Sequence, residues 1–278
     1  MLPGSGGGLG PGLTNAPQPF AAASKRAAHG ALYIRLALEL ATGRRHSWAF
    51  KASNAVDFTA RSAALLIDWT TIPRTRLRRL DMLEGGVEDA RAALRFLKER
   101  FPGAPIVVVG FSWGGCVMWP ALQEPIADNA VISGAAAIAG SARGGADLEA
   151  KGLGSRAGVA AFCKKGGAVL FLHGSRDKNV ALQVAEYLFG AAETDLKRLV
   201  QILGAKHMLD SVREVAFEEL SNWARCVLRP RGHTGALTGV EARGKPRGDA
   251  RLKPSRRRLS RVAVEPGHPL QGLVGYSE

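Results

Sequence analysis

Ile106-Val107-Val108-Val109-Gly110-Phe111-Ser112-Trp113-Gly114-Gly115-Cys116-Val117-Met118 is the stretch that decides the fold of this chain. Four consecutive β-branched residues read as a buried strand. The residues beyond Ser112 continue as a helix, so the serine is expected on a sharp strand-to-helix turn. Gly110-Phe111-Ser112-Trp113-Gly114 matches the pattern G-x-S-x-G, which alone says little in a chain with 34 glycines. Its setting gives it weight. On such a turn the serine is strained, and side chains two residues before and after it would collide with the neighbouring strand and helix. An ordinary strand-to-helix turn is the competing reading.

Upstream, Val87, Ala90, Leu94, Leu97 and Phe101 recur at spacings of three and four, which predicts an amphipathic helix closed by Pro102-Gly103. Ala63 to Asp68 is a short apolar run of the kind that forms buried parallel strands, and residues 27–41 suit a helix stopped by Thr42-Gly43. Residues 44–62 show no pattern. Downstream, strand-like runs at 130–138, 169–172 and 199–203 alternate with helix-like stretches at 113–122, 180–189 and 209–228. Alternation of this kind implies βαβ crossovers and a mostly parallel sheet covered by helices on both faces.

The length of 278 residues with 46% hydrophobic content suffices for one core, so a single α/β domain over residues 1–228 is expected. The net charge of +14 is concentrated at the end of the chain. From Arg229 onward eleven Lys or Arg stand against four Asp or Glu, a balance of +7. Rich in Gly and Pro and without sustained periodicity, residues 229–278 read as a disordered basic tail; nucleic acid or an anionic surface is the partner class such a tail would suit. Three scattered cysteines argue against a disulfide framework. No apolar run reaches the roughly 18 to 20 residues of a membrane helix, and the Gly-rich start lacks the features of a signal peptide. The expectation is a soluble, cytoplasmic protein.

A serine hydroxyl becomes a nucleophile when a base takes its proton, and the base must be oriented by a carboxylate. For a nucleophile on this kind of turn the partners follow in the order serine, acid, histidine. His207 is the histidine that fits, just past the run Leu199 to Leu203 and the turn Gly204-Ala205-Lys206. His29, His46 and His173 come too early, while His233 and His268 lie in the basic tail. Asp177 is the chosen acid, because it follows the run Val169 to Leu172 by a short turn. Each assignment has a plainer rival: Asp177 as a helix cap, His207 as a surface histidine at a helix start, and Asp147 or Glu149 as weaker acids. His173 is expected to be structural, its ring tied to backbone in the turn.

Gly110 to Gly115, the His-Gly-x-x-Asp of His173 to Asp177 and the Gly-Ala-x-His of Gly204 to His207 together resemble the dienelactone hydrolase-like branch of the α/β-hydrolases. The resemblance spans roughly residues 1–228, and it implies the α/β-hydrolase fold. In that family a Gly-rich loop follows the third strand, and Leu2-Pro3-Gly4-Ser5-Gly6-Gly7-Gly8 looks like it. The resemblance thus implies that a backbone N–H near Ser5 or Gly6 joins the N–H of Trp113 in holding an oxyanion. Dienelactone hydrolases proper use cysteine where Ser112 stands, so their substrate does not carry over. The chain starts at the oxyanion loop, so the first strands of the fold are expected to be missing; residues 44–62 look like an insertion. The implied activity is that of a serine esterase or related acyl hydrolase, working on a small acyl substrate through an acyl-enzyme without metal or organic cofactor. The alternative is a catalytically weak scaffold, since related domains resemble a subunit of a chromatin acetyltransferase complex.

Overall fold

The computed structural model describes residues 79–123, 132–209, 212–228 and 239–243. Residues 27–41, 44–62 and 63–68, as well as Ser5 and Gly6, lie outside them.

The long helix α1 (Arg79–Arg100) leads into β1 (Ile106–Phe111), followed by α2 (Trp113–Ala121) and β2 (Ile132–Ile138). Then come α3 (Ala146–Ala150), α4 (Ser155–Lys164), β3 (Ala168–Gly174), α5 (Leu182–Ala191), β4 (Lys197–Ile202), α6 (Arg213–Leu228) and β5 (Gly239–Arg243). The five strands pair in sequence order, and every pair is parallel. Parallel pairing in this order requires a crossover between each pair of neighbours, and every one of the four contains a helix.

Alternation along the strands sorts the core into two layers. Val108, Ala135, Val169, Phe171 and Leu199 point to the face covered by α1, α2, α4 and α5, where Leu83, Val87, Trp119, Val159, Phe162 and Leu188 meet them. Their neighbours Val109, Ala136, Leu170, Leu172 and Val200 point to the opposite face and pack on Ala216, Phe217, Leu220 and Trp223 of α6. Apolar runs without a polar face are therefore what this sheet needs, since both of its faces are dry. The small residues of β2 permit close approach: a Cβ on Gly134 would stand 2.8 Å from the Trp223 ring.

Two expectations change. Phe101, read as the end of an apolar stripe, lies beyond the last residue of α1 and is 40% exposed; Leu97, half-buried against the core, is the last of the stripe to pack on it. The stretch from Arg229, read as a disordered tail, contributes β5 to the sheet over Gly239–Arg243. A ladder with β4 attaches it, and its charges add to the attachment. Arg198 of β4 lies 2.7 Å from Glu219 of α6 and 3.1 Å from Glu241 of β5, and Arg243 of β5 contacts both glutamates. The rest of the tail, residues 229–238 and 244–278, lies outside the described residues. Among the described residues no helix is long and apolar enough to cross a membrane.

Candidate active site

The register places Phe111 beside Ile138, Ile138 beside Leu172, and Gly174 beside Ile202, so the C-terminal ends of β1 to β4 form one edge. In a parallel sheet that edge carries the loops that build a site. Ser112, Asp177 and His207 all leave from it.

Ser112 takes φ 50° and ψ −113°, a positive φ that a residue with a side chain rarely adopts. The surroundings hold it there. Its N–H donates to Ile138 O at 2.9 Å, and its own carbonyl accepts from Gly115 N–H, Ser141 N–H and the Ser141 hydroxyl at 3.0, 3.0 and 3.1 Å. The turn is tight enough that a Cβ on Gly110 would lie 2.5 Å from Gly114 O, and one on Gly115 would lie 2.7 Å from Gly140 Cα. Gly110 thus has the steric role expected of it. The sequence gives no such warning for Gly115, whose obstacle is a loop after β2.

The serine hydroxyl reaches His207 Nε2 at 3.0 Å, and His207 Nδ1 reaches Asp177 Oδ2 at 2.8 Å. These distances suit a proton running from Oγ to Nε2 while Nδ1–H donates to the carboxylate. The side chain of Asp177 is fully enclosed. Its other oxygen, Oδ1, accepts the N–H groups of Asn179 and Val180 at 2.8 and 3.0 Å. Asp177 does not cap α5, which begins at Leu182 without a side-chain cap; Oδ1 closes the turn ahead of that helix, and Oδ2 faces the histidine. Burial raises the carboxyl pKa, but the hydrogen bonds from His207, Val180 and Asn179 and the nearby imidazole outweigh it and hold it below the ordinary value. The carboxylate is charged at neutral pH. The Phe111 ring lies 5.2 Å from the imidazole, at 44°, and packs one side of it.

The acid and base loops are stitched together by groups the sequence reading passed over. Ser175 N–H donates to Ile202 O, Arg176 N–H to Ala205 O, and Gly204 N–H to Ser175 Oγ at 2.8 Å. A Cβ on Gly174 would lie 2.5 Å from Ala205 O, so only glycine permits this approach. Polar or small residues at a strand end were the available signal, but their partners are some thirty residues away. Ser141 is a similar case, since nothing local marks it as a clamp on Ser112.

Trp113 opens α2, so its N–H is among those that a helix start leaves without an intrahelical acceptor, directly beside the serine. The Arg143 guanidinium stacks over its ring at 5.5 Å. Ser5 and Gly6, expected as the other oxyanion donors, lie outside the described residues. The rival acids sit apart: Asp147 and Glu149 are exposed on α3, with the Glu149 carboxyl against Gly154. Cys116, one turn beyond Ser112, is fully buried, and burial pushes its thiol up to about 11. It is an unreactive packing group at neutral pH.

A parallel sheet with helices on both faces, a strained serine turn after β1, and acid and histidine loops after β3 and β4 make this an α/β-hydrolase fold. Solved structures similar to the chain include the esterase domain of a Rhodothermus marinus protein, with TM-score 0.39 and 22% identity over 50% of this chain and 68% of that one. Est1E from Butyrivibrio proteoclasticus has TM-score 0.41 and 17% identity over 52% and 70%, respectively. A serine hydrolase homologue from Coxiella burnetii has TM-score 0.41 and 17% identity over 56% and 65%. No family model and no curated protein sequence matches the chain.

Proposed function

We propose that this protein is a serine hydrolase that cleaves an ester or a related acyl bond through an acyl-enzyme. The observation that carries the reading is the unbroken relay from Ser112 Oγ through His207 to Asp177, at 3.0 and 2.8 Å, with the serine held at a positive φ. As His207 Nε2 takes the hydroxyl proton, Oγ attacks the substrate carbonyl and forms a tetrahedral oxyanion. The imidazolium is steadied by the Asp177 carboxylate and then gives its proton to the leaving oxygen. Water deacylates the enzyme by the same steps in reverse.

The Trp113 N–H is the oxyanion donor next to the nucleophile, and the resemblance to the dienelactone hydrolase-like branch assigns the second donor to the backbone at Ser5 or Gly6. The substrate is a small acyl compound, and the chemistry needs no cofactor. Single and double variants test this. Ser112→Ala and His207→Ala should each lower kcat for a small aryl ester by on the order of 10⁴-fold or more, and the double variant should be hardly worse than either. Losses that multiply would mean that the two residues do not share a proton transfer.

A further inference from the structure

His173 is the last but one residue of β3 and is wholly buried. Its Nε2 lies 2.8 Å from Val180 O, which fixes the tautomer: the carbonyl can only accept, so Nε2 carries the proton. Nδ1 then remains an unprotonated acceptor, and it has no hydrogen-bond partner among the described residues. Burial holds the ring below its ordinary pKa, against the opposing pull of Val180 O and Asp177, and the imidazole is neutral at neutral pH. The same Nε2 stands 3.4 Å from Asp177 Oδ2, the oxygen that faces His207. Val180 is doubly engaged, since its N–H donates to Asp177 Oδ1 at 3.0 Å while its carbonyl takes the His173 proton.

We infer that His173 is a positioning residue for Asp177: it pins Val180 and sets its N–H edge 3.4 Å from one carboxylate oxygen, so that Oδ2 stays aimed at His207 Nδ1. Without that pin, the turn from Ser175 to Val180 keeps its two N–H bonds to Oδ1, yet the carboxylate is free to rotate about them. The motif His-Gly-x-x-Asp thus gains a physical meaning. The histidine at its start holds the peptide that orients the aspartate at its end, and the glycine between them lets the base loop approach.

The inference concerns the proposed site, but it can be tested apart from turnover. The Asp177–His207 hydrogen bond should give a low-field Nδ1–H proton resonance, seen whether or not the enzyme acts on a given ester. In His173→Leu, which keeps the volume and removes the donor, that resonance should broaden away. The kcat for an aryl ester should then fall about 10- to 100-fold with KM within about twofold, the usual cost of losing a residue that orients an active group. His173→Gln, whose amide nitrogen falls where Nε2 stood, should restore both. His173→Asn, whose amide reaches no further than Nδ1, should not restore them, and it replaces the leucine variant if that chain does not fold. A folded leucine or asparagine variant with an unchanged resonance would overturn the inference, as would a folded glutamine variant that restores nothing. If the resonance follows the inference while no ester is ever turned over, the hydrolase reading fails and the role of His173 stands.

Discussion

At the scale of single residues, Ser112 is where the proposed chemistry would set function against stability. A non-glycine residue at φ 50° costs about 1 to 3 kcal/mol, and three hydrogen bonds to its carbonyl, two of them from Ser141, keep it there. Replacing it by glycine relieves the strain, whereas alanine retains it. Ser112→Gly should therefore melt at a higher temperature than Ser112→Ala, by an amount equal to about 1 kcal/mol. Equal melting temperatures in calorimetry would show that the turn stores no strain. The buried histidine beside the site makes a different prediction. The folded pKa of His173 lies below its ordinary value of 6.5, so below pH 6.5 the unfolded chain takes up a proton there that the native chain does not. Its contribution is fully present above pH 6.5 and is lost as the pH falls, by at most about 1.4 kcal/mol per pH unit. Asp177, held below its ordinary 3.8, adds a further loss only in stronger acid. Urea unfolding at pH 7 and pH 5 should show a drop in stability that is smaller in His173→Gln, and an identical drop would place the acid sensitivity elsewhere.

At the scale of elements, what the sequence reveals follows from how local the cause is. Strands β1 and β3 are apolar runs that stand out unaided, and β4 is marked by Leu199, Val200 and Ile202 among polar residues; Ser112 follows β1 directly, while Asp177 and His207 follow β3 and β4 by a few residues, so their positions are legible. Helices α3 and α4 are not, because the stretch from Ala142 to Lys164 mixes glycines with charge and its packing is set by a distant partner. A Cβ on Gly158 of α4 would lie 2.5 Å from Trp119 O of α2. Strand β5 is the least legible. Gly239-Val240-Glu241-Ala242-Arg243 has one large apolar residue, Val240, which is 44% exposed, so hydrophobic pattern has little to act on. The strand is held by its ladder with β4, by Leu203 N–H donating to Arg243 O at 2.7 Å, and by the Arg198, Glu219, Glu241 and Arg243 cluster. Arg198 is nearly buried, so its loss leaves Glu219 with less compensation in a dry setting. Arg198→Leu should cost about 3 kcal/mol, and adding Glu219→Leu should recover most of it. Thermal denaturation of the single and double variants measures both, and a double variant as unstable as the single one would contradict the account.

At the scale of the whole molecule, the sheet acts as a ruler. Strands β1, β3 and β4 end at one edge, and the strand spacing of about 4.8 Å, multiplied across the sheet, sets the distances that the loops must bridge. Serine, acid and histidine, 65 and 30 residues apart in the chain, meet because each loop is tied to its neighbour by backbone hydrogen bonds rather than by a shared segment. The charge is also unevenly placed: half of the +14 lies after residue 228, in the part of the chain that supplies β5. What matters for the proposed chemistry is whether the assembled relay activates one hydroxyl. The most direct measurement is to treat the full chain with a fluorophosphonate and map the modified peptide by mass spectrometry. A single adduct on Ser112, absent in Ser112→Ala and strongly slowed in His207→Ala, is the predicted result. An untouched Ser112 in the folded protein, or labelling that persists in Ser112→Ala, would contradict the central claim.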